Sequence, residues 1–470
     1  MNLELAGILG YVALQLVIGV AVSRKITSEA SYLLAGRSLG YGLAGFSIFA
    51  TWLGAETCIG SAGSVYQDGV TATTVEPFAY TACLLVMGAL FAAPLWRRGY
   101  TTVADLFRTR YSPGVERLVV VLVVPTSLLW AAAQLRAFGQ VLAASSDLPL
   151  GLAMGVATGV AVIYTTFGGL LADAVTDVVQ GVMLAAGLLL FGVLLYLTPG
   201  VSEALPPVSA AAPALPVPEL GGSSWLDIAE AWAIPVFGSL LAQELVSRVL
   251  GSRSARVAVR AALAGGLAYL AIGLIPVFAG LAGARLMPGL EDPEQLLLLL
   301  ARDLLPTLPY VLFAGALVSA ILSTVDSTLL AAASLTSHNL IVSLRPDLPD
   351  AVRLRLARGG VVLFGGISFL IALNSGGVLE LVEQASSFAS AGVFVAGCFG
   401  LFSRVGGPAS ASAALVTGAV AWLACSTAGL ATPYLASLAA ALVAYLGTAQ
   451  IEPRLAGAEA GEPLASAVPR

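Results

Sequence analysis

Phe49-Ala-Thr-Trp-Leu-Gly-Ala-Glu-Thr-Cys-Ile-Gly60 is an apolar stretch with a carboxylate at its centre, and how it is read decides the architecture. Gly54 and Gly60 flank Glu56 and Thr57. Glycine weakens a helix interior by about 1 kcal/mol, and a charge at bilayer depth is costly enough to be rare outside functional sites. Two readings are open. The helix breaks here and frees backbone carbonyls to bind a cation, or it stays whole, packs closely through its small residues and pairs Glu56 with a cation of the protein. Both readings place the segment inside a membrane span.

Composition supports that solvent. Of 470 residues, 58% are hydrophobic and 10% charged, against about 25% charged in an ordinary soluble domain. Apolar runs of roughly 20 residues, long enough to cross a bilayer, recur along the whole chain. Backbone inside lipid must satisfy its own hydrogen bonds, and no alternating barrel pattern is present, so the fold class is all-α and polytopic. The net charge of −5 says little by itself. Cys58, Cys83, Cys398 and Cys425 all fall in apolar runs and read as buried thiols without a disulfide framework.

Working outward from Glu56, thirteen helices are predicted, at 3–23, 38–66, 76–96, 117–146, 149–171, 173–198, 225–250, 256–284, 305–337, 353–373, 378–402, 406–428 and 433–450. The first has no basic region before it and no cleavage site, and reads as a retained helix. Basic residues test the count, because cytoplasmic loops collect them. With the N-terminus outside, the inner loops hold Arg24, Lys25 and Arg37, then Arg97, Arg98, Arg108, Arg110 and Arg117, then Arg248, Arg253, Arg256 and Arg260. Further inner loops hold Arg345, Arg353, Arg355 and Arg358, then Arg404, and the tail holds Arg454 and Arg470. Only Arg285 and Arg302 fall outside. The C-terminus is therefore cytoplasmic, in an inner or plasma membrane, and the short loops suggest a prokaryote.

The Pro- and Ala-rich segment 199–224 separates two five-helix blocks, 38–198 and 225–402. Five is odd, so the second block enters from the opposite side, as in an inverted repeat. Residues 1–37 carry the extra first helix and a cytoplasmic loop, 403–450 two C-terminal helices, and 451–470 a short polar tail expected to be disordered.

Two further spans carry polar chemistry. The ninth reads Ser319-Ala-Ile-Leu-Ser-Thr-Val-Asp-Ser-Thr328, with five hydroxyls and one carboxylate in ten residues. Such hydroxyls can simply bond back to the preceding turn; adjacent Ser323 and Thr324 also offer two hard oxygens at one helix level. The sixth carries Asp177, within Tyr164-Thr-Thr-Phe-Gly-Gly-Leu-Leu-Ala-Asp-Ala-Val-Thr-Asp-Val-Val-Gln180. An intramembrane carboxylate is a functional hypothesis by default.

Together with the entry Ala35-Gly-Arg-Ser-Leu-Gly40, these segments resemble the sodium:solute symporter family, whose fold is LeuT-type: a five-plus-five inverted repeat, here with one N-terminal and two C-terminal helices. The resemblance covers about residues 5–450. It implies sodium as coupling ion, held by backbone oxygens of Ala50, Leu53 and Ala320 and by the hydroxyls of Ser323 and Thr324. It further implies a second sodium position at Asp177, Ser323, Asp326 and Ser327, although Asp326 could equally serve a helix contact. No organic cofactor is implied.

Within the family the chain is most similar to the high-affinity choline transporter branch, through Ala50-Thr-Trp52, Tyr100, Trp130-Ala-Ala-Ala133 and Ser247-Arg-Val-Leu250. The resemblance implies a solute site of Trp52, Tyr80 and Trp130, with Ala242 where that branch has a fourth aromatic. Ring faces attract a quaternary ammonium. Glu56 and Glu76, with Thr57 beside them, add negative charge. Arg136 either clamps a carboxylate of the solute or, the preferred reading, forms a buried pair with Glu56 or another carboxylate. Choline, betaine or an amino acid would suit such a site; aromatic stacking leaves a sugar or polyol open, and the clamp a carboxylate. Glu244 and Arg248, one turn apart, are expected to form a helix-surface salt bridge. His338 is expected in a surface or interfacial role.

The expected function is sodium-coupled uptake of a small solute by alternating access. A proton-coupled transporter of the same fold, titrating at Asp177 or Asp326, is the alternative. No nucleotide loop, Cys/His metal cluster or paired catalytic carboxylates suggest an enzyme or a nucleic-acid partner, and no pattern speaks to oligomeric state.

Overall fold

Where glycine and polar residues interrupt the apolar runs, the helices break, and those breaks organise the molecule. A computed structural model describes residues 28–144, 148–199 and 224–459, together with Gly10, Ala13, Val17, Ser146 and Val201. The predicted first span, Arg24 and Lys25, most of segment 199–224 and the end of the tail lie outside the described residues.

Among the described residues, nine helices are long and apolar enough to cross a membrane, and three bent pairs bring the number to twelve. These correspond to the twelve spans predicted from residue 38 onward. We number them α1 (α1a Tyr41–Trp52, α1b Glu56–Asp68), α2 (Phe78–Arg97), α3 (Pro113–Ala143), α4 (Leu150–Phe167), α5 (Gly169–Leu197) and α6 (α6a Trp225–Gly238, α6b Gln243–Gly251). There follow α7 (Ala255–Leu286), α8 (Thr307–Val342), α9 (Asp350–Leu373), α10 (α10a Val378–Ser387, α10b Ser390–Phe402), α11 (Pro408–Thr427) and α12 (Pro433–Glu459). The last helix therefore continues nine residues past the predicted boundary at Gln450, across a stretch expected to be disordered.

α1 and α6 are each the first span of their five-helix block, and both are broken, by 52° and 43°. A matching break in two blocks is what an inverted repeat produces around a central site. α10 bends by 41° at Ala389, which adopts a left-handed conformation (φ 57°). α4 and α5 meet at Gly169, whose φ of 60° and ψ of 176° suit a residue without Cβ. A Cβ there would lie 2.5 Å from the Tyr32 ring. The Tyr32 hydroxyl in turn donates to the Thr165 carbonyl at 2.9 Å, in the last turn before the kink.

α8 is the most enclosed of the nine unbroken spans, with 78% of its apolar window buried. It carries the hydroxyl-rich sequence through the centre of the molecule, against α1, α3, α5 and α9. At its far end Asn339 donates to Asp105 at 2.9 Å and Glu116 at 2.7 Å, and His338 lies 3.1 Å from Glu29. α11 and α12 pack outside the ten-helix core, and carboxylates fix them. Glu230 of α6a accepts the N–H groups of Tyr434 and Leu435, at 2.6 and 2.8 Å, where α12 begins. Glu452 does the same for Gly407 and Ala409 at the start of α11, at 2.7 and 2.9 Å. Carboxylates suit these positions because the first N–H groups of a helix are unpaired and its dipole is positive there.

Candidate functional site

A broken helix leaves backbone groups without partners, and in lipid each must find one from the protein. α1a ends at Leu53 (φ −83°, ψ 58°). Three side chains then close the gap. Thr57 Oγ1 donates to the Trp52 carbonyl at 3.1 Å. Gln134 of α3 accepts the Ala55 N–H at 3.0 Å. Thr324 of α8 reaches across to the Thr51 carbonyl at 3.1 Å while also bonding Ala320 O at 3.3 Å. Of the two readings of the Glu56 segment, the structure has the broken one, and Glu56 enters no ion pair among the described residues. Its partner is Gln134 Nε2, at 2.6 Å.

Of the residues named for sodium, Thr324 has its hydroxyl on this seam. Thr324 Oγ1 lies within hydrogen-bond range of Ala320 O and of the Thr51 carbonyl, next in the chain to Ala50 and two residues before Leu53. Ser323, on the same level of α8, donates to Asp177 Oδ1 and keeps its lone pairs free to ligate. Ala50, Leu53, Ala320, Ser323 and Thr324 are all at most 1% exposed. All five are neutral oxygens in buried residues, of the hard type that a small cation takes.

The second set does not gather in the same way. Asp177 accepts from Ser47 at 2.5 Å and from Ser323. Ser327 donates to Asp173 at 2.9 Å and receives Arg248 Nη2 at 2.5 Å. Both carboxylate oxygens of buried Asp326 lack a hydrogen-bond partner. Arg248 lies in the middle. Its guanidinium is 2.6 Å from Asp173 and 3.5 Å from Asp177, and it donates to Ser47 at 2.9 Å. This corrects the expected salt bridge with Glu244. Helical spacing does bring the two residues together, but Arg248 reaches only the Glu244 backbone carbonyl, at 3.0 Å. The Glu244 carboxylate instead accepts from Ser127 at 2.8 Å. A fully buried guanidinium takes the strongest acceptors available, which are carboxylates of α5.

The aromatic residues do converge. Ring centroids of Trp52 and Trp130 are 6.2 Å apart, and those of Tyr80 and Trp130 are 6.3 Å apart. Above Tyr80 opens a cavity of about 190 Å³, lined among others by Ser61, Glu76, Ile234, Leu379 and Glu383, on the side where the loops after α1b and before α10a lie. Below Trp130 is a smaller cavity of about 30 Å³ reaching Ala242 and Glu244. Ala242 leaves space where the choline branch was expected to have a ring. Glu76 accepts from Tyr269 of α7 and, at 3.3 Å, from Thr57. Its other oxygen, one oxygen of Glu56, the Ser61 hydroxyl and both indole N–H groups are buried without a partner.

Arg136 has other partners than the carboxylate expected of it, which corrects the buried ion pair read for it. Its two terminal nitrogens donate to the carbonyls of Ser375 and Gly376, each at 3.0 Å, where α9 passes into α10a. Among the described residues it pairs with no carboxylate, because the chain turning between those helices presents two carbonyls to it. The sequence reading had given no role to Gln134, Tyr269, Ser47 or Asp173. The signal for Asp173 was present: it stands one helical turn before Asp177, so both face one way along α5.

A model of the sodium:solute symporter family matches residues 32–447. The chain is 28% identical over 362 residues to the high-affinity choline transporter 1 of Torpedo marmorata, and 28% over 370 residues to that of Homo sapiens. These matches take in 73% and 75% of this chain but 61% and 63% of the relatives, so it spans about three fifths of their length. The osmoregulated proline transporter OpuE of Bacillus subtilis is 26% identical over 449 residues, covering 92% of this chain and 90% of the relative. Among solved structures, a Na+-coupled sialic acid symporter superposes with a TM-score of 0.83 at 18% identity, over 96% of this chain and 98% of the other. Mhp1, a nucleobase-cation-symport-1 family transporter, gives 0.63 at 18% identity, over 94% and 97%. The fold is therefore LeuT-type, and the named relatives are transporters, not enzymes. With the match running from ahead of α1 into α12, the chain belongs to the sodium:solute symporter family.

Proposed function

We propose that this protein is a multi-pass symporter of the cell membrane that couples sodium entry to uptake of a small organic cation of the ammonium class. The observation that carries the reading is the aromatic cluster Trp52–Trp130–Tyr80 beneath a cavity that Glu76 and Glu383 line and no basic residue lines. A cation over an aromatic face gains about 0.5–2 kcal/mol, most where water is excluded. A betaine or amino acid would bring a carboxylate with no cationic partner, since Arg136 is committed to Ser375 and Gly376.

Sodium is cargo with a second task. Ligated by Ala50, Leu53, Ala320, Ser323 and Thr324, it would tie α1a to α8 and fix the break that shapes the solute site. The solute then completes the closed state, and the helices around the break rock against the scaffold. Coupling requires only that joint occupancy favour closure by a few kcal/mol. A membrane potential adds about 2.3 kcal/mol per charge per 100 mV.

The test is uptake into proteoliposomes under a sodium gradient. Thr324→Ala removes one ligand and the hydroxyl that spans to Thr51. The sodium concentration for half-maximal uptake should rise at least tenfold, about 1.4 kcal/mol, beside the drop in melting temperature that an unpartnered Thr51 carbonyl brings, about 1–3 kcal/mol. An unchanged sodium dependence would count decisively against this seam as the ion's seat.

A further inference from the structure

Of the carboxylates in the membrane-spanning part of this chain, Glu76 stands in an unusual position. It is 4% exposed, lines the larger cavity and has one oxygen engaged by Tyr269 and Thr57. The other oxygen meets nothing. Ser61, which lines the same cavity, has a buried hydroxyl without a partner. One oxygen of Glu56, on the next element inward, is in the same condition. Neither glutamate enters an ion pair among the described residues. A buried polar atom without a partner costs about 1–3 kcal/mol, and more when charged. Carboxylates left thus beside a cavity are complementary to a ligand that donates hydrogen bonds.

A fully methylated ammonium cannot supply them. It has no N–H, and it is best held by a complete box of aromatic faces. The space that Ala242 borders beside Trp130 is lined also by Phe237 and Phe388, whereas the cavity that Glu76 lines presents the Tyr80 ring beside two acceptors without partners. The cavity beside Glu76 thus offers one aromatic face and unpartnered hydrogen-bond acceptors rather than a box of rings.

We propose that Glu76 is the specificity-determining residue of the solute site and selects an organic cation bearing at least one N–H, a protonated primary, secondary or tertiary amine, over its quaternary analogue. This rests on the organic-cation reading and narrows it. The N–H of the ligand donates to the open oxygen of Glu76, Ser61 is the second partner available to it, and the rings of Tyr80 and Trp130 hold the apolar part. Tyr269 and Thr57 position the carboxylate by occupying its other oxygen.

The experiment is a methylation series on one skeleton: ethanolamine, its N-methyl and N,N-dimethyl derivatives, and choline. Binding to the purified full chain in saturating sodium is measured by titration calorimetry. The amines that keep an N–H should bind at least tenfold tighter than choline, about 1.4 kcal/mol. Glu76→Gln should erase that preference, and Glu76→Asp should restore part of it. Choline binding as tightly as the amines, or a Glu76→Gln variant that still prefers them, overturns the inference and leaves the organic-cation reading intact. Binding of none of the four, with or without sodium, brings down the organic-cation reading and this inference with it. The series on the unaltered protein decides even if the variants fail to fold.

Discussion

At the scale of single residues, Arg248 explains more of the interior than any other side chain. It is fully buried and joins Ser47 of α1a, Asp173 and Asp177 of α5 and Ser327 of α8. Breaking a buried ion pair from one side leaves uncompensated charge and costs about 3–5 kcal/mol. Arg248→Met should therefore lower the melting temperature of the detergent-solubilised protein markedly. The double variant Arg248→Met/Asp173→Asn should recover part of the loss, because it removes the charge left behind. Equal losses in the single and double variants would show that Arg248 acts through packing alone. This network was half legible from sequence. The residues were visible as charges at membrane depth, but helical spacing directed Arg248 toward Glu244, four residues away, whereas its strongest partner lies 75 positions earlier in the chain. Pairing across helices depends on how they pack, which a single sequence does not state. Arg136 misled for the same reason: its partners are backbone carbonyls, and these carry no residue signature.

At the scale of elements, the spans were readable because bilayer thickness imposes a length on each, while glycine and a carboxylate together marked α1 for a break without deciding it against a whole, tightly packed helix. The break in α6 had no such mark. It occurs at Gly238, where a Cβ would come within 2.1 Å of the Ser386 carbonyl on α10a. Two helix backbones meet there with no room for a methyl group. Gly238→Ala must push α6 and α10 apart, and overpacking of this kind costs about 1–3 kcal/mol. We expect a lower melting temperature and reduced sodium-driven uptake. Gly42→Ala is the control, since a Cβ at that position of α1a meets nothing within 4 Å. If both variants behave alike, the close approach of α6 and α10 has no energetic weight. The turn at Gly169 is similar in kind: the Gly-Gly pair was visible in sequence, but the tyrosine packed against it, Tyr32, was not.

For the whole molecule, the cavities differ in size on the two sides of the aromatic cluster. The larger lies toward the loops at 69–77 and 374–377, while the other end of α8 is held by hydrogen bonds from Asn339 and by His338 against Glu29. His338, expected in a surface or interfacial role, is partly buried against Glu29 at this end. A cysteine introduced at Ser64, which lines the larger cavity, should react with a membrane-impermeant maleimide from outside intact cells once Cys398 and Cys425 are replaced by serine. Sodium with solute should slow that reaction severalfold, and labelling only from the cytoplasmic side would reverse the orientation read from the arginine-rich loops. The two helices beyond the ten-helix core take part as well. Because a single carboxylate on α6a, Glu230, holds the starting turn of α12, that peripheral helix is leashed to one of the pieces that would swing in the proposed cycle. A dye attached to the far end of α12 would then serve as a remote gauge of the cycle, registering each turnover from outside the machinery without touching the pocket.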